Sequence, residues 1–133
     1  MISQERGTKS RIVTESEHFI AICPYAPRFP FETWILPKFH SSRFEINGTS
    51  QFPELAKTMK DVLMKIKKAL NAPPYNFVLH SSPIKENCEN YYHWHIEIMP
   101  KLSKLAGFEQ GTGFYINTTS PEDAAQTLRD TKI

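Results

Sequence analysis

The sequence lacks most of the features that would assign it to a specialised class at once. It contains only two cysteines, Cys23 and Cys88, far apart and in no paired motif, which excludes a disulfide framework and a complete zinc finger. Its formal net charge of +2 is too small to indicate nucleic acid or an acidic membrane surface as a partner. No apolar run approaches the roughly 18 residues of a membrane span, and residues 1–6 do not resemble a signal peptide. We therefore expect a cytoplasmic protein without nucleic-acid or membrane partners.

The composition is ordinary for a globular protein, with 40% hydrophobic and 23% charged residues. A chain of 133 residues is most simply one domain, residues 1–133, and is long enough to bury a core. Residues 1–9 are polar, and we expect this segment to be flexible.

The order of apolar patterns predicts an α+β fold. Residues 11–14 and 18–23 predict a hairpin around a turn at 15–17, and residues 31–37 and 75–80 predict two further strands. Between these, apolar residues recur at steps of three and four from Leu55 to Leu70 and predict one long helix, with Ser50 as its N-cap. Ser120 followed by proline predicts a short C-terminal helix. The expected architecture is a mostly antiparallel sheet with one long helix packed on it.

The most informative segment is residues 91–100, YYHWHIEIMP, which alternates with the period of a half-buried strand. His93, His95 and Glu97 fall on one face, and the apolar residues at 94, 96 and 98 fall on the other. Same-face side chains two residues apart lie roughly 7 Å from each other, so all three can line one site. Imidazole is a common zinc ligand and a competent nucleophile. With His40 and His80 at the ends of other predicted strands, the pattern indicates metal binding or phosphoryl chemistry, and spacing alone does not decide between them.

Residues 107–113, GFEQGTG, contain three glycines in seven positions. Such a segment indicates either a backbone that approaches something closely or a plain turn. It does not match a dinucleotide fingerprint, because the spacing is wrong and no strand and long helix flank it.

Four segments together resemble the C-terminal half of galactose-1-phosphate uridylyltransferase, a family of the histidine-triad superfamily whose members consist of two similar halves. They are residues 30–38 with His40, residues 80–83, residues 93–100 and residues 107–117. The resemblance extends over nearly the whole chain from about residue 11. It implies a histidine-triad-like fold with a mostly antiparallel sheet, one long helix and a short C-terminal helix.

The resemblance also implies an activity, the transfer of a uridylyl group between UDP-glucose and galactose 1-phosphate in galactose metabolism. The family reacts through a covalent nucleotidyl-histidine, which divides one displacement into two. Its nucleophile lies in the N-terminal half, in a His-Pro-His motif that this chain lacks. The matching position here is His95, the candidate catalytic residue, with Glu97 where the nucleophilic half has glutamine. The implied partners are an N-terminal half of the same enzyme or a second copy, in a homodimer.

Two metal sites follow from the resemblance. Family members bind zinc through a Cys-x-x-Cys pair, which is absent here, together with positions that match His40 and His93. Some members instead bind iron through positions that match His80, His95 and Glu97, with an acid from the other half. Either site would be incomplete in this chain. We favour His40 with His93, because two independent motifs supply them.

The resemblance assigns the glycine-containing segment to the nucleotide-sugar bound in the neighbouring subunit. The residues expected to bind that substrate are Phe108, Gln110, Gly111, Thr112, Gly113 and Asn117.

Two alternatives remain open from the sequence. The chain can be a freestanding histidine-triad hydrolase or nucleotidyltransferase that uses His95 as its nucleophile, with a homodimer supplying two halves. It can also be a nucleotide- or metal-binding module without turnover.

Overall fold

The protein, represented by a computed structural model, is described over residues 2–46, 49–87, 89–104 and 106–133. Cys88 and Met1 therefore lie outside the described residues. The helices are α1 (Ile2–Thr8), α2 (Phe52–Ala69), α3 (Gly107–Thr112) and α4 (Pro121–Asp130), and the strands are β1 (Ile12–Glu15), β2 (Phe19–Ile22), β3 (Thr33–Pro37), β4 (Tyr75–His80) and β5 (His95–Pro100). Two short 3-10 segments, Phe44–Ile46 and Thr49–Gln51, precede α2.

The five strands form one sheet in the order β1-β2-β3-β5-β4, and every neighbouring pair is antiparallel. This confirms the expected α+β class. The β1–β2 hairpin, the strand over residues 75–80 and the long helix all form where the sequence predicts them. β4 is an edge strand, and its register with β5 pairs His80 with His95.

One face of the sheet packs against α2 and α4 and holds the main core. The α2 stripe buries Leu55, Val62 and Ile66, as its helical spacing predicts. Trp94, next to β5, and Ile96 and Ile98 within it lie in the same core. The apolar half of the predicted alternation is therefore confirmed, which leaves the histidines and Glu97 for the opposite face.

The opposite face has a smaller apolar cluster of Ile20, Ile22 and Leu36, against which Ile2 of α1 packs. Residues 2–8, within the segment that the sequence predicts to be flexible, form α1 in the structure. The reason is tertiary: Glu5 is buried and forms an ion pair with Arg11 at 2.9 Å. Such contacts stabilise a short helix that its own propensity would not.

Three local boundaries differ from the sequence prediction. Gln51 rather than Ser50 is the N-cap of α2, and its side chain makes no capping hydrogen bond. β5 begins at His95, four residues after the start of the alternating segment. Residues 107–112 form the short helix α3 instead of a turn, and Gly113, with φ of 73°, ends it in the left-handed conformation that glycine favours.

The predicted cap of α4 is confirmed, because the Ser120 hydroxyl accepts a hydrogen bond from the Asp123 backbone N–H at 3.1 Å. Among the described residues, no helix combines the length and hydrophobicity that crossing a bilayer requires.

Candidate functional site

The β4–β5 register brings two imidazoles and a carboxylate together. His80 Nε2 lies 3.3 Å from Glu97 Oε2, and His95 Nε2 lies 3.3 Å from Glu97 Oε1. The potential ligand atoms of the three residues all lie within 4.8 Å of one another. Two histidines and a glutamate from adjacent strands therefore converge on one point. We call these three residues the β4–β5 cluster.

Ring stacking fixes the orientation of both imidazoles. The Trp34 ring stacks on His95 with centroids 4.7 Å apart, and His95 stacks on His80 with centroids 4.9 Å apart. Both faces of the His95 ring are therefore covered. Its reactive nitrogens remain accessible only in the plane of the ring, which points Nε2 at Glu97.

The hydrogen bonds of His95 decide which of its nitrogens has the proton. Its Nδ1 lies 3.1 Å from the His93 carbonyl oxygen, and a carbonyl only accepts, so Nδ1 is the donor. In a neutral imidazole the Nε2 lone pair then faces a carboxylate oxygen of Glu97, which is also an acceptor. The Nε2 of His80 is itself buried without a hydrogen-bond partner. Such an arrangement is complete only with a proton or a cation between these atoms.

Arg28 supplies one positive charge next to the β4–β5 cluster. Glu97 is 6% exposed, and Arg28 Nη2 donates to its Oε2. Burial raises the pKa of Glu97, but the Arg28 charge and hydrogen bond oppose burial, and the net pKa lies below its ordinary value. Glu97 is therefore an anion at neutral pH. The sequence pattern did not single out Arg28, since it lies in the loop between β2 and β3, outside any periodic segment.

The β4–β5 cluster has the donor set of a metal site. Zinc and iron both bind imidazole nitrogen and carboxylate oxygen. The hydrogen bond from His95 Nδ1 to a carbonyl is the kind of outer contact that orients a ligating imidazole. The unpartnered Nε2 of His80 points into the same space. These three residues fit a divalent cation.

His40 and His93, the pair that the resemblance favours for zinc, lie next to each other with ring centroids 5.8 Å apart. His93 Nε2 donates to the Pro37 carbonyl oxygen at 2.7 Å, and His40 Nε2 donates to that of Glu89. Burial lowers the pKa of His93 below its ordinary value. Both Nε2 atoms are thus hydrogen-bonded, which leaves the lone pairs of the Nδ1 atoms available to bind a metal ion. In the described ranges, the only group of three ligand-type residues is the β4–β5 cluster, and Cys88 lies outside those ranges.

The expected substrate-binding segment lies on the surface. Phe108 is 60% exposed, and the other members that lie in α3 or at its end are exposed as well. Asn117 is half-buried, and its Oδ1 accepts from the Thr119 backbone N–H at 3.0 Å. The segment contacts the loop that contains Arg28 through the Tyr115 ring, whose centroid lies 5.2 Å from that of Phe29.

Comparison with known proteins agrees with this geometry. The family model described as galactose-1-phosphate uridyl transferase, C-terminal domain, matches residues 1–115. An ADP-glucose phosphorylase from Arabidopsis thaliana is 44% identical over 97% of this chain and 37% of its own length. A galactose-1-phosphate uridylyltransferase from Thermotoga maritima is 35% identical over 97% of this chain and 43% of its own length. The chain thus spans less than half of these curated relatives.

Solved structures lead to the same family and to a known fold. The structure of an ADP-glucose phosphorylase from Arabidopsis thaliana with bound ADP-glucose superimposes with a TM-score of 0.90 at 41% identity, covering 96% of this chain and 42% of that one. A zinc-bound histidine triad family protein from Mycobacterium smegmatis has a TM-score of 0.65 at 17% identity, covering 89% of this chain and 80% of that one. At that identity the second likeness shows the fold alone. The protein belongs to the galactose-1-phosphate uridyl transferase family, in which it corresponds to the C-terminal domain, and it has the histidine-triad fold.

Proposed function

We propose that the chain is the C-terminal module of a hexose-1-phosphate nucleotidyltransferase, to which it contributes a metal site and contacts to a nucleotide-sugar. The observation that supports this most strongly is the convergence of His80 Nε2 and His95 Nε2 on the two oxygens of Glu97. A purely structural site would satisfy these atoms with donors and acceptors of its own. The family match and the partial coverage of the relatives support the modular part of the proposal.

His80, His95 and Glu97 would hold the metal, zinc or iron, and a further ligand would come from an N-terminal half. A bound ion would supply positive charge at the β4–β5 cluster and would tie the two halves together. His40 and His93, with their Nδ1 atoms, remain the alternative pair.

The surroundings of His95 favour a ligand over a nucleophile in this module. Trp34 and His80 cover its two ring faces, and its Nε2 points at Glu97. In the module's reaction, a histidine of the N-terminal half would attack the α-phosphorus of the nucleotide-sugar. A phosphorus–nitrogen bond forms, the bond to the β-phosphate oxygen breaks, and hexose 1-phosphate leaves. A second hexose 1-phosphate would then take the nucleotidyl group.

If the chain acts alone, His95 is the candidate nucleophile, because its Nδ1–H hydrogen bond leaves the Nε2 lone pair free.

The edge strand β4 is the surface on which we expect a partner chain to bind. Among the described residues, no further strand pairs with its outer backbone groups, and Tyr75, Phe77, Val78 and Leu79 are each more than 40% exposed. Unprotected, apolar edge strands are where another chain pairs. We propose that an N-terminal half of the same enzyme covers this edge, and that a second copy would do so if the chain acts alone.

The proposed substrates are a nucleotide-sugar and a hexose 1-phosphate. The exposed segment of Phe108, Gln110, Gly111, Thr112, Gly113 and Asn117 would contact the nucleotide-sugar across a dimer interface. UDP-glucose and galactose 1-phosphate are the substrates that the family name supports. The relative at 44% identity is an ADP-glucose phosphorylase, which favours ADP-glucose, with inorganic phosphate as acceptor, as the second candidate.

A labelling experiment tests the proposal. The chain would be incubated with UDP-glucose or ADP-glucose labelled at the α-phosphate, alone and with the separately produced N-terminal half of the Arabidopsis relative. We expect acid-labile label only when both halves are present, and only on the N-terminal half. Label on this chain alone that disappears in His95→Ala would support the freestanding enzyme instead. Nucleotide binding without label under either condition would support a binding module.

A further inference from the structure

Arg28 is held at the β4–β5 cluster by more than one contact. Its Nη2 donates to Glu97 and lies 3.2 Å from Glu32 Oε1 and 3.6 Å from Met99 Sδ. Its backbone N–H donates to Glu32 Oε2 at 2.8 Å. The side chain is nevertheless 41% exposed, so Arg28 is not enclosed by the protein as Glu97 is.

Glu32 links Arg28 to the ring stack. It is 1% exposed, and besides Arg28 it accepts the Trp34 Nε1–H at 2.9 Å. Trp34 stacks on His95, so one buried carboxylate positions both the guanidinium and the ring that orients a proposed ligand. Arg28 is therefore placed by a built network and not by a chance surface ion pair.

The two oxygens of Glu97 have different neighbours. Oε1 faces His95 Nε2 at 3.3 Å, whereas Oε2 is shared between Arg28 Nη2 and His80 Nε2. A buried carboxylate requires a compensating positive charge, and Arg28 already provides one. A divalent cation bound by the two Nε2 atoms would draw on the same carboxylate and would be repelled by the guanidinium.

We propose that Arg28 is an internal counter-cation that competes with the metal ion for Glu97 and thereby sets the metal affinity of the β4–β5 cluster. This inference rests on the metal part of the proposed function. Without a metal, Arg28 keeps the buried carboxylate paired; with a metal, the guanidinium gives up Oε2 or weakens the carboxylate as a ligand. Arg28 is a positioning residue, since it acts on the metal through Glu97.

Metal titration of the full chain tests this inference directly. Co²⁺ binding would be followed by visible absorbance and Zn²⁺ binding by competition with a chelating dye, for the wild type, Arg28→Gln and Arg28→Lys. The matched control is Arg6→Gln, which removes a similarly exposed arginine from its ion pair with Glu15. We expect Arg28→Gln to bind both ions about tenfold more tightly, because removing the positive charge beside Glu97 relieves its repulsion of the ion and frees Oε2. Arg28→Lys, which keeps the charge, and Arg6→Gln would stay within about threefold of the wild type, below the roughly 10–100-fold of an outer-contact loss.

Circular dichroism would first establish that each variant is folded, and Arg28→Met, which can still pack beside Met99, is the second neutral variant. Unchanged or weaker binding in a folded neutral variant overturns the inference. The variant His95→Ala distinguishes a failure of the Arg28 inference from a failure of the proposed metal site. If His95→Ala abolishes metal binding but Arg28→Gln does not strengthen it, only the role of Arg28 is wrong. If Arg28→Gln combined with His95→Ala still binds tightly, the ion lies elsewhere, and both proposals are wrong.

Discussion

Two histidine–glutamate pairs in this molecule differ in how completely the hydrogen-bonding atoms of their side chains are satisfied. His18 Nδ1 lies 2.7 Å from Glu54 Oε2, and Glu54 Oε1 accepts from the His18 backbone N–H at 2.7 Å and from the Ser16 hydroxyl at 2.6 Å. These contacts lower the pKa of Glu54 to about 2, with the backbone hydrogen bond as the largest cause. The pair fastens the β1–β2 turn to the start of α2.

The His95–Glu97 pair is incomplete by contrast. Its contact is 3.3 Å long and joins two acceptors when the imidazole is neutral, and the neighbouring His80 Nε2 has no hydrogen-bond partner. Arg28 Nη2, from outside the pair, donates to Glu97 Oε2. The His18–Glu54 pair, whose hydrogen bonds are satisfied within the chain, has a structural role, whereas the unpaired lone pairs of the β4–β5 cluster are the atoms that the proposed metal site would use.

The largest expected effect separates the two pairs by metal affinity. We expect His95→Ala and Glu97→Gln to weaken Zn²⁺ binding by more than about 100-fold, beyond the roughly 10–100-fold of an outer-contact loss, because each removes a direct ligand. His18→Ala, the matched control, would leave the affinity unchanged. Isothermal titration of the folded variants measures this. Equal losses for His18→Ala and His95→Ala would contradict the distinction between the pairs.

The second prediction concerns stability, for which we expect the His18–Glu54 pair to matter more than the His95–Glu97 pair. Glu54→Gln removes the charge from three hydrogen bonds, each of which contributes roughly 1.5–3 kcal/mol when the acceptor is ionised and buried. Because the Glu54 side chain is 25% exposed, we expect the free energy of unfolding at pH 7 to fall by about 2 kcal/mol in total.

Urea denaturation measures that change, with Glu17→Gln as the control. Glu17 is 83% exposed and lies 4.0 Å from His18, so its loss is expected to cost less than about 0.5 kcal/mol. A stability loss in Glu54→Gln no larger than that of the control would show that the pair does not fasten the turn.

The pH dependence of stability gives a third, smaller test of the same pair. The folded-state pKa of Glu54 is about 2, below its ordinary value of 4.5. The carboxylate therefore contributes stability above pH 4.5, and this contribution is lost as the pH falls from 4.5 towards 2. We expect thermal unfolding of Glu54→Gln to show a shallower decline over that window than the wild type. Parallel declines would contradict the assignment.

The smallest expected effect concerns the other histidine pair. Among the described residues, no third ligand-type side chain joins His40 and His93, so we expect His93→Ala to change Zn²⁺ affinity by less than about threefold, below even an outer-contact loss. The same titration as for His95→Ala provides the comparison. A loss as large as that of His95→Ala would favour the His40–His93 site, which the sequence analysis preferred of the two that the resemblance implies.

The sequence predicts much of this fold because the relevant signals are local. The alternation in residues 91–100 places Ile96 and Ile98 in the core and Glu97 on the opposite face, as the structure has them. The cap at Ser120 depends on residues three apart and is also predicted correctly. The helix α1 is not, because it depends on the long-range packing of Ile2 and on the Glu5–Arg11 ion pair.

The sequence pattern predicts only part of the candidate site, because the rest of the site also depends on long-range contacts. Spacing within one strand groups His95 with Glu97 and also with His93. It does not show that the strand register brings His80 opposite His95, or that a loop places Arg28 against Glu97 across 69 residues of sequence. Strand pairing and loop conformation, which are tertiary properties, decide which histidines share a site.

Crystals of the full chain soaked in Zn²⁺ would test the central claim most directly, by an anomalous difference map collected at the zinc edge. The account predicts one peak within bonding distance of His80 Nε2, His95 Nε2 and a Glu97 oxygen. A peak at His40 and His93 with none at the β4–β5 cluster would contradict it.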